Sequence, residues 1–162
     1  MSLELIAKSI KDTNFEKEWK NKKELLGNIS IDFQNNKVHC YLDPKAGWCK
    51  GVYLISDGMS EKISGLYNGV SAKKTSTCRG RVQSHIRAIK KAMNGITDKN
   101  ESSGIKFVNH FKSKNVCFTN LIVEYIDLNT EVPGLAGLVE ENLIKVTEGP
   151  LNRENENNVE NI

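Results

Sequence analysis

The chain has 162 residues, of which 38% are hydrophobic and 27% are charged, a composition that fits one soluble domain with a single core. No apolar run approaches the ~18 residues of a membrane helix, and the N-terminus lacks the basic start and apolar block of a signal peptide. We therefore expect a cytoplasmic protein that has no membrane partner.

The formal net charge of +3 conceals an uneven distribution of charged residues. Residues 140–162 hold six acidic and two basic residues, so the rest of the chain has 21 basic against 14 acidic ones. Residues 73–91 contain no acidic residue, and their basic residues are Lys73, Lys74, Arg79, Arg81, Arg87, Lys90 and Lys91. A cationic segment of this density suits a polyanion such as nucleic acid, although a solvated helix face can have a similar composition.

The four cysteines are scattered and include no C-x-x-C pair, so we expect reduced, structural thiols. A zinc site built from His39, Cys40 and Cys49 is the alternative interpretation. The spacing of these three residues matches none of the familiar zinc-ligand pairs, which favours the structural interpretation.

The segment up to Gly27 is predicted to form two helices. Thr13 and Glu16 make a capping box for the second helix, and Gly27 is a good helix terminator. A hairpin follows, because Asn35-Asn36 can adopt the positive φ angles of a tight turn between two strand-like segments.

Strands and helices alternate in the rest of the chain. Strand composition occurs in residues 29–33, 37–42, 51–56, 63–71 and 115–127. A helix is predicted over residues 79–93, where a buried stripe at helical spacing consists of Val82, Ile86, Ile89 and Met93. Shorter helices are predicted over residues 105–112 and 135–146.

This order of elements predicts an α/β (α+β) fold with a small, mainly antiparallel three-stranded sheet flanked by helices. The sheet belongs to a core over residues 48–152. Residues 1–47 form a helix-helix-hairpin extension that packs on this core and is a candidate for contacting DNA. The polar residues 153–162 have little to bury and are predicted to be a disordered tail.

The residues that could carry chemistry form short motifs between positions 50 and 152. In chain order they are Gly51-Val52-Tyr53, Tyr67-Asn68-Gly69, Lys73, Arg81 with His85, Glu140 with Glu141, and finally Asn152. Together they resemble the motifs of the GIY-YIG nuclease superfamily. The second motif departs from the family by having Asn68 where the family name has isoleucine, and the basic loop at 70–78 is long.

The resemblance implies a metal-dependent nuclease in which two tyrosines share the active site. Tyr53 is the expected proton acceptor and Tyr67 is expected to orient water or phosphate. Since the two lie on neighbouring predicted strands, their rings can meet across the hairpin. The structural alternative is a pair of tyrosines packed at the edge of a core, which is the usual role of tyrosine on a strand.

The remaining catalytic roles implied by the resemblance fall on the two helices. Arg81 and His85 are four residues apart and share a helix face, and Arg81, with Lys73, is expected to neutralise charge on the phosphate. Glu140 is the expected ligand of Mg²⁺, for which Mn²⁺ would substitute. Asn152 is a supporting residue. For His85 and Glu140 the alternatives are an ordinary surface histidine and a solvated acidic pair.

The compact plan resembles the restriction endonucleases of the superfamily, which cut short double-stranded DNA sites, often as homodimers. Within that interpretation, DNA-binding side chains are expected in the cationic segment, namely Lys73, Lys74, Arg79, Arg87 and Lys90. The alternatives are a structure-specific or mobile-element nuclease of the same superfamily, or a nucleic-acid-binding module that keeps the fold without the activity.

Overall fold

The computed structural model describes residues 15–56, 67–71, 77–96 and 102–128, and it describes residues 67–71 by their backbone. Within these ranges the chain forms three helices and five strands. In chain order they are α1 (Phe15–Lys22), β1 (Glu24–Asp32), β2 (Lys37–Leu42), β3 (Gly51–Ser56), β4 (Tyr67–Ser71), α2 (Cys78–Met93), α3 (Ser102–Ser113) and β5 (Phe118–Asp127). The prediction of a mixed α/β protein is therefore confirmed.

All five described strands belong to one antiparallel sheet in the order β2-β1-β5-β3-β4. The prediction of a three-stranded sheet was wrong, because the N-terminal hairpin adds two further strands to it. β1 pairs with β5 along its whole length, from Glu24 opposite Tyr125 to Asp32 opposite Phe118. The strands on either side of the predicted boundary at residue 47 thus lie in the same sheet.

The N-terminal helix ends earlier than predicted, at Lys22, and Gly27 lies inside strand β1. Gly27 follows an irregularity in the pairing with β5, and a Cβ atom there would lie 2.0 Å from the carbonyl oxygen of Tyr41. Glycine is therefore required by the close approach of β2 and not by the end of a helix. The turn between β1 and β2 has the predicted positive φ angle at Asn36, where φ is 56°.

Helices α2 and α3 pack on one face of the sheet and enclose the core. The predicted stripe on α2 is buried throughout, at Val82, Ile86, Ile89 and Met93. Its partners on the sheet come from alternating positions of the strands and include Ile29, Ile31, Tyr53, Ile55, Leu121 and Val123. None of the helices described is long and apolar enough to cross a membrane.

Strand β3 occupies an interior position in the sheet, between β5 and β4, and all six of its residues are buried. It begins at Gly51, where a Cβ atom would lie 1.9 Å from the carbonyl oxygen of Ile126 on β5. A side chain at this position would push the two strands apart. The glycine of the first motif therefore has a packing role at the start of the strand that carries Tyr53.

Several predictions concern residues outside the described ranges. They are the first helix of the N-terminal segment, the helix over residues 135–146 and the tail over residues 153–162.

Candidate active site

Helix α2 is anchored at its first turn by its own capping residue and by the loop that follows β2. Thr77 has extended backbone angles and its hydroxyl accepts a hydrogen bond from the N–H of Gly80 at 3.0 Å, as an N-cap residue does. The N–H groups of Cys78 and Arg79 donate to the carbonyls of Cys49 and Gly47. The start of α2 therefore has a fixed position relative to the sheet.

Tyr53 of β3 and His85 of α2 form a buried hydrogen-bonded pair. The Tyr53 hydroxyl oxygen and His85 Nε2 are 2.7 Å apart, and the two side chains are 0% and 6% exposed. The rings meet edge-on with their centres 5.8 Å apart, and His85 also lies beside Phe107 of α3. The structure thus brings together one residue from the first motif and one from the helix motif.

The charge state of His85 follows from its surroundings. Burial and then the positive charge of Arg81 lower the pKa of His85 from 6.5 to about 4. The imidazole is therefore neutral near pH 7. A neutral imidazole has one nitrogen that accepts a hydrogen bond, so in one tautomer Nε2 accepts the phenol proton of Tyr53.

Arg81 lies four residues before His85 on α2 and its side chain is exposed, whereas that of His85 is buried. The sequence predicted that both would emerge where the core meets the surface, and this is the case for Arg81 alone. We refer to Arg81 and His85 as the β3 flank of α2, since His85 contacts Tyr53 of β3. A guanidinium at this place is accessible to an anion that approaches α2 from solvent.

Tyr125 of β5 lies directly opposite Tyr53, and Glu24 of β1 lies opposite Tyr125 in turn. Burial, together with the carboxylate of Glu24, raises the pKa of Tyr125 to about 12, against the effect of a hydrogen bond from the Gly47 backbone. Sequence reasoning did not single out either residue, because both lie on strands whose pairing is not visible in the local sequence.

Arg79 is predicted to bind DNA, and the structure shows its guanidinium engaged with the protein itself. Nη1 donates to the carbonyl oxygens of Asp43 at 2.6 Å and Ala46 at 3.4 Å, and Cζ lies 4.9 Å from the ring centre of Trp48. Its Nε is buried and has no hydrogen-bond partner among the described residues. Arg79 therefore holds the loop after β2 against α2.

The other side of α2 faces strand β2 across a cleft of about 370 Å³. Its lining consists of Cys40 and Leu42 from β2 and of Arg79, Gln83, Ile86 and Arg87 from α2. We refer to Arg79, Gln83 and Arg87 as the β2 flank of α2. Arg87 and Lys90, both predicted to bind DNA, are exposed, and Arg87 donates a hydrogen bond to Ser84.

The side chains of the other residues predicted to be catalytic lie outside the part of the chain that the structure describes. Lys73, Lys74, Glu140 and Asn152 lie outside the described residues. Tyr67 is described by its backbone, which pairs with Ile55 of β3.

The described residues do not by themselves offer a metal site. No group of three or more His, Cys, Asp and Glu side chains within residues 15–56, 67–71, 77–96 and 102–128 could hold a metal ion. Cys49 is buried beside Cys78, and His39, Cys40 and Cys49 do not form such a group. The predicted Mg²⁺ ligand Glu140 lies outside these ranges.

Comparisons with protein-family models, with curated proteins and with solved structures gave no match to this chain. The chemistry of its own residues is therefore the basis for assigning a function.

Proposed function

We propose that the chain is a metal-dependent endonuclease of the GIY-YIG type that cuts double-stranded DNA at specific sites, as type II restriction enzymes do. The observation that carries the proposal is the 2.7 Å hydrogen bond between Tyr53 and His85, with Arg81 exposed on the same helix. It joins two of the motifs on which the resemblance rests. The order hairpin, helices, strand in residues 51–127 supports the same assignment.

The proposed chemistry begins with Tyr53 and His85. The phenol oxygen takes a proton from the attacking water as the phenol passes its own proton to Nε2 of His85. The low pKa of His85, about 4, keeps this nitrogen unprotonated near neutral pH. Because Tyr53 is fully buried in this conformation, substrate binding has to open a path for one water molecule to its hydroxyl.

Charge on the phosphate is neutralised by Arg81 and by Lys73 in this proposal, and Tyr67 orients the water or the phosphate. Glu140 would hold Mg²⁺, or Mn²⁺ in its place, and the bound ion would stabilise the leaving 3′ oxygen. Asn152 is assigned a supporting role. A homodimer would bring one such site to each strand of the duplex.

A nucleic-acid-binding module without activity is the second candidate, and one observation favours it. Tyr53 has 0% exposure, whereas a catalytic phenol must touch water. Binding itself needs only cations, and α2 and α3 together have basic residues and no acidic residue. A structure-specific or mobile-element nuclease is the remaining alternative and differs in substrate, not in chemistry.

The test is incubation of the purified protein with long, unmethylated duplex DNA, with Mg²⁺ or with a chelator. Arg81→Ala and Glu140→Ala are compared with Lys112→Ala, which removes an exposed charge from α3. Discrete metal-dependent bands are expected for the parent and for Lys112→Ala. Cleavage should fall by about 100-fold or more in the other two variants, the effect of removing one group that stabilises charge in the transition state.

Other outcomes of this experiment lead to different functions. A metal-dependent smear of products would indicate a nuclease that does not recognise a site. Intact DNA that is shifted on a gel would establish the binding module in place of the enzyme. Cleavage at the parental rate by both Arg81→Ala and Glu140→Ala would show that the residue assignment is wrong.

A further inference from the structure

Trp48 is an exposed aromatic residue that is held in place from two sides. Its side chain is 63% exposed, although tryptophan is mostly buried in folded proteins. The indole N–H donates a 2.8 Å hydrogen bond to the carbonyl of Pro44, and the guanidinium of Arg79 lies over the ring. Trp48 thus presents an ordered aromatic surface to solvent.

The support beneath Trp48 is itself fixed. Arg79 is bonded to the carbonyls of Asp43 and Ala46, and its backbone N–H donates to the carbonyl of Gly47. Gly47 has φ of +78°, a conformation that glycine adopts without strain. Because both the ring and its support are anchored, binding a flat ligand on Trp48 would cost little conformational entropy.

The cleft beside Arg79 has the charge that suits an anion. None of the described residues that line it is acidic, and Gln83 and Arg87 of the β2 flank contribute a neutral and a cationic hydrogen-bond donor. Asp43 is an acidic residue whose carbonyl oxygen accepts a hydrogen bond from Arg79, and its carboxylate accepts a hydrogen bond from the backbone N–H of Lys45 at 3.0 Å. Arg79 links the cleft to the aromatic ring, because its guanidinium lies over Trp48 and Arg79 also lines the cleft. Arginine and glutamine side chains can bind a phosphate, and an aromatic ring can stack on a base.

We infer that Trp48 and the cleft between α2 and β2 bind an unpaired nucleotide of a nucleic-acid strand. The base stacks on Trp48, and the adjoining phosphate binds Arg87 and Gln83. An unpaired nucleotide is required, because the bases of an intact duplex are stacked on one another and offer no free face. The partner is therefore single-stranded nucleic acid or a duplex with an extruded base.

This site is distinct from Arg81 and His85, which lie on the β3 flank of the same helix. The inference rests on the proposed function in one respect, which is that the partner is a nucleic acid. It does not depend on cleavage. Binding measured with a chelator present therefore tests it separately from the nuclease activity.

The chain contains two tryptophans, and they differ in a way that provides a probe. Trp19 is buried and Trp48 is exposed, so a base that stacks on the protein should quench the emission of Trp48. The protein is titrated in chelator with three DNA ligands: a single-stranded oligonucleotide, a duplex with one extra unpaired nucleotide, and the same duplex fully paired. Quenching is expected with the first two and much less with the third.

Two variants with a matched control test the residues. Trp48→Leu should abolish the quenching and reduce affinity for the single strand on the order of tenfold, whereas Trp48→Phe should retain most of the affinity. Tyr41→Leu removes an aromatic residue of similar exposure from β2 that does not line the cleft, and it should leave affinity unchanged. Circular dichroism checks that each variant is folded.

The outcomes separate the two proposals. Unchanged affinity of Trp48→Leu for the single strand, or equal quenching by the fully paired duplex, would overturn the nucleotide site whatever the protein cleaves. Binding that depends on Trp48 without any metal-dependent cleavage would support the nucleotide site and contradict the nuclease. Absence of binding to all three ligands would overturn the nucleotide site, and the cleavage experiment would decide the nuclease on its own.

Discussion

The two flanks of helix α2 differ in how their polar groups are used. On the β3 flank, His85 is buried and bonded to Tyr53. On the β2 flank, Gln83 and Arg87 are exposed and line an open cleft. The same helix therefore has a buried, hydrogen-bonded histidine on one side of its apolar stripe and exposed polar side chains on the other side.

This difference shows that a polar residue on a helix can contribute in two separate ways, either to the stability of the fold or to the binding of a ligand. A buried polar group must keep its hydrogen bond, since losing the partner leaves the cost of removing that group from water. An exposed polar group can exchange its partner for water at little cost, which leaves it available to a ligand. Stability should therefore be sensitive to changes at His85 and its partner Tyr53, and binding to changes at Gln83 and Arg87.

The largest expected effect concerns His85 and pH. Burial and the charge of Arg81 lower the pKa of His85 from 6.5 to about 4, so between these pH values the unfolded chain takes up a proton that the folded protein does not. The free energy of unfolding should therefore fall as the pH is lowered through this window, by about 3 kcal/mol at pH 4. Well above pH 6.5 the imidazole is neutral in both states and contributes no slope.

Because carboxylates also titrate at low pH, the measurement is a comparison of two proteins. His85→Gln keeps a hydrogen-bond acceptor for Tyr53 and removes the titrating ring. Urea denaturation at pH 7, 5.5 and 4 should show a steeper loss of stability for the parent than for this variant. Parallel curves would mean that the pKa of His85 is not lowered in the folded protein.

The next effect concerns the other member of the pair. Tyr53→Phe keeps the buried ring and removes the hydroxyl that bonds His85 Nε2, so the free energy of unfolding should fall by about 2 kcal/mol. Tyr41→Phe removes the hydroxyl of an exposed tyrosine and should have little effect. Equal changes in the two variants, measured by urea denaturation at pH 7, would show that the hydrogen bond does not contribute to stability.

The smallest effect is expected on the β2 flank. Arg87 is exposed, and its hydrogen bond to Ser84 lies at the surface, so Arg87→Ala should change the free energy of unfolding by less than about 0.5 kcal/mol. The same denaturation experiment measures it. A loss comparable to that of Tyr53→Phe would mean that the β2 flank is structural, which would remove the contrast between the two flanks.

Much of the fold could be predicted from the sequence where the pattern is local. The stripe on α2 recurs at the helical period, and its four residues are all buried. The interior strand β3 was predicted with the bounds that it has. The pairing of β1 with β5 could not be predicted, because residues opposite each other, such as Ser30 and Asn120, are 90 positions apart. Glycine also misled the prediction at Gly27, since the same residue serves helix ends and close strand contacts.

The site could be predicted from the sequence in part. The spacing of Arg81 and His85 predicted that the two residues lie on one helix face. The fixed position of Trp48 could not be predicted, because it depends on Arg79 and on backbone carbonyls of a loop without regular structure. The engagement of Arg79 with that loop was missed for the same reason.

The position of β5 in the sheet has a consequence for the order in which the protein folds. β5 is the last of the described strands in the chain, yet it lies between the two hairpins. During synthesis, neither hairpin can join the other until residues 118–127 have left the ribosome. Closing so long a segment is entropically costly, so we expect assembly of the sheet to be slow compared with formation of the hairpins. Until then, the edge of β1 that later pairs with β5 is open to pairing with another chain.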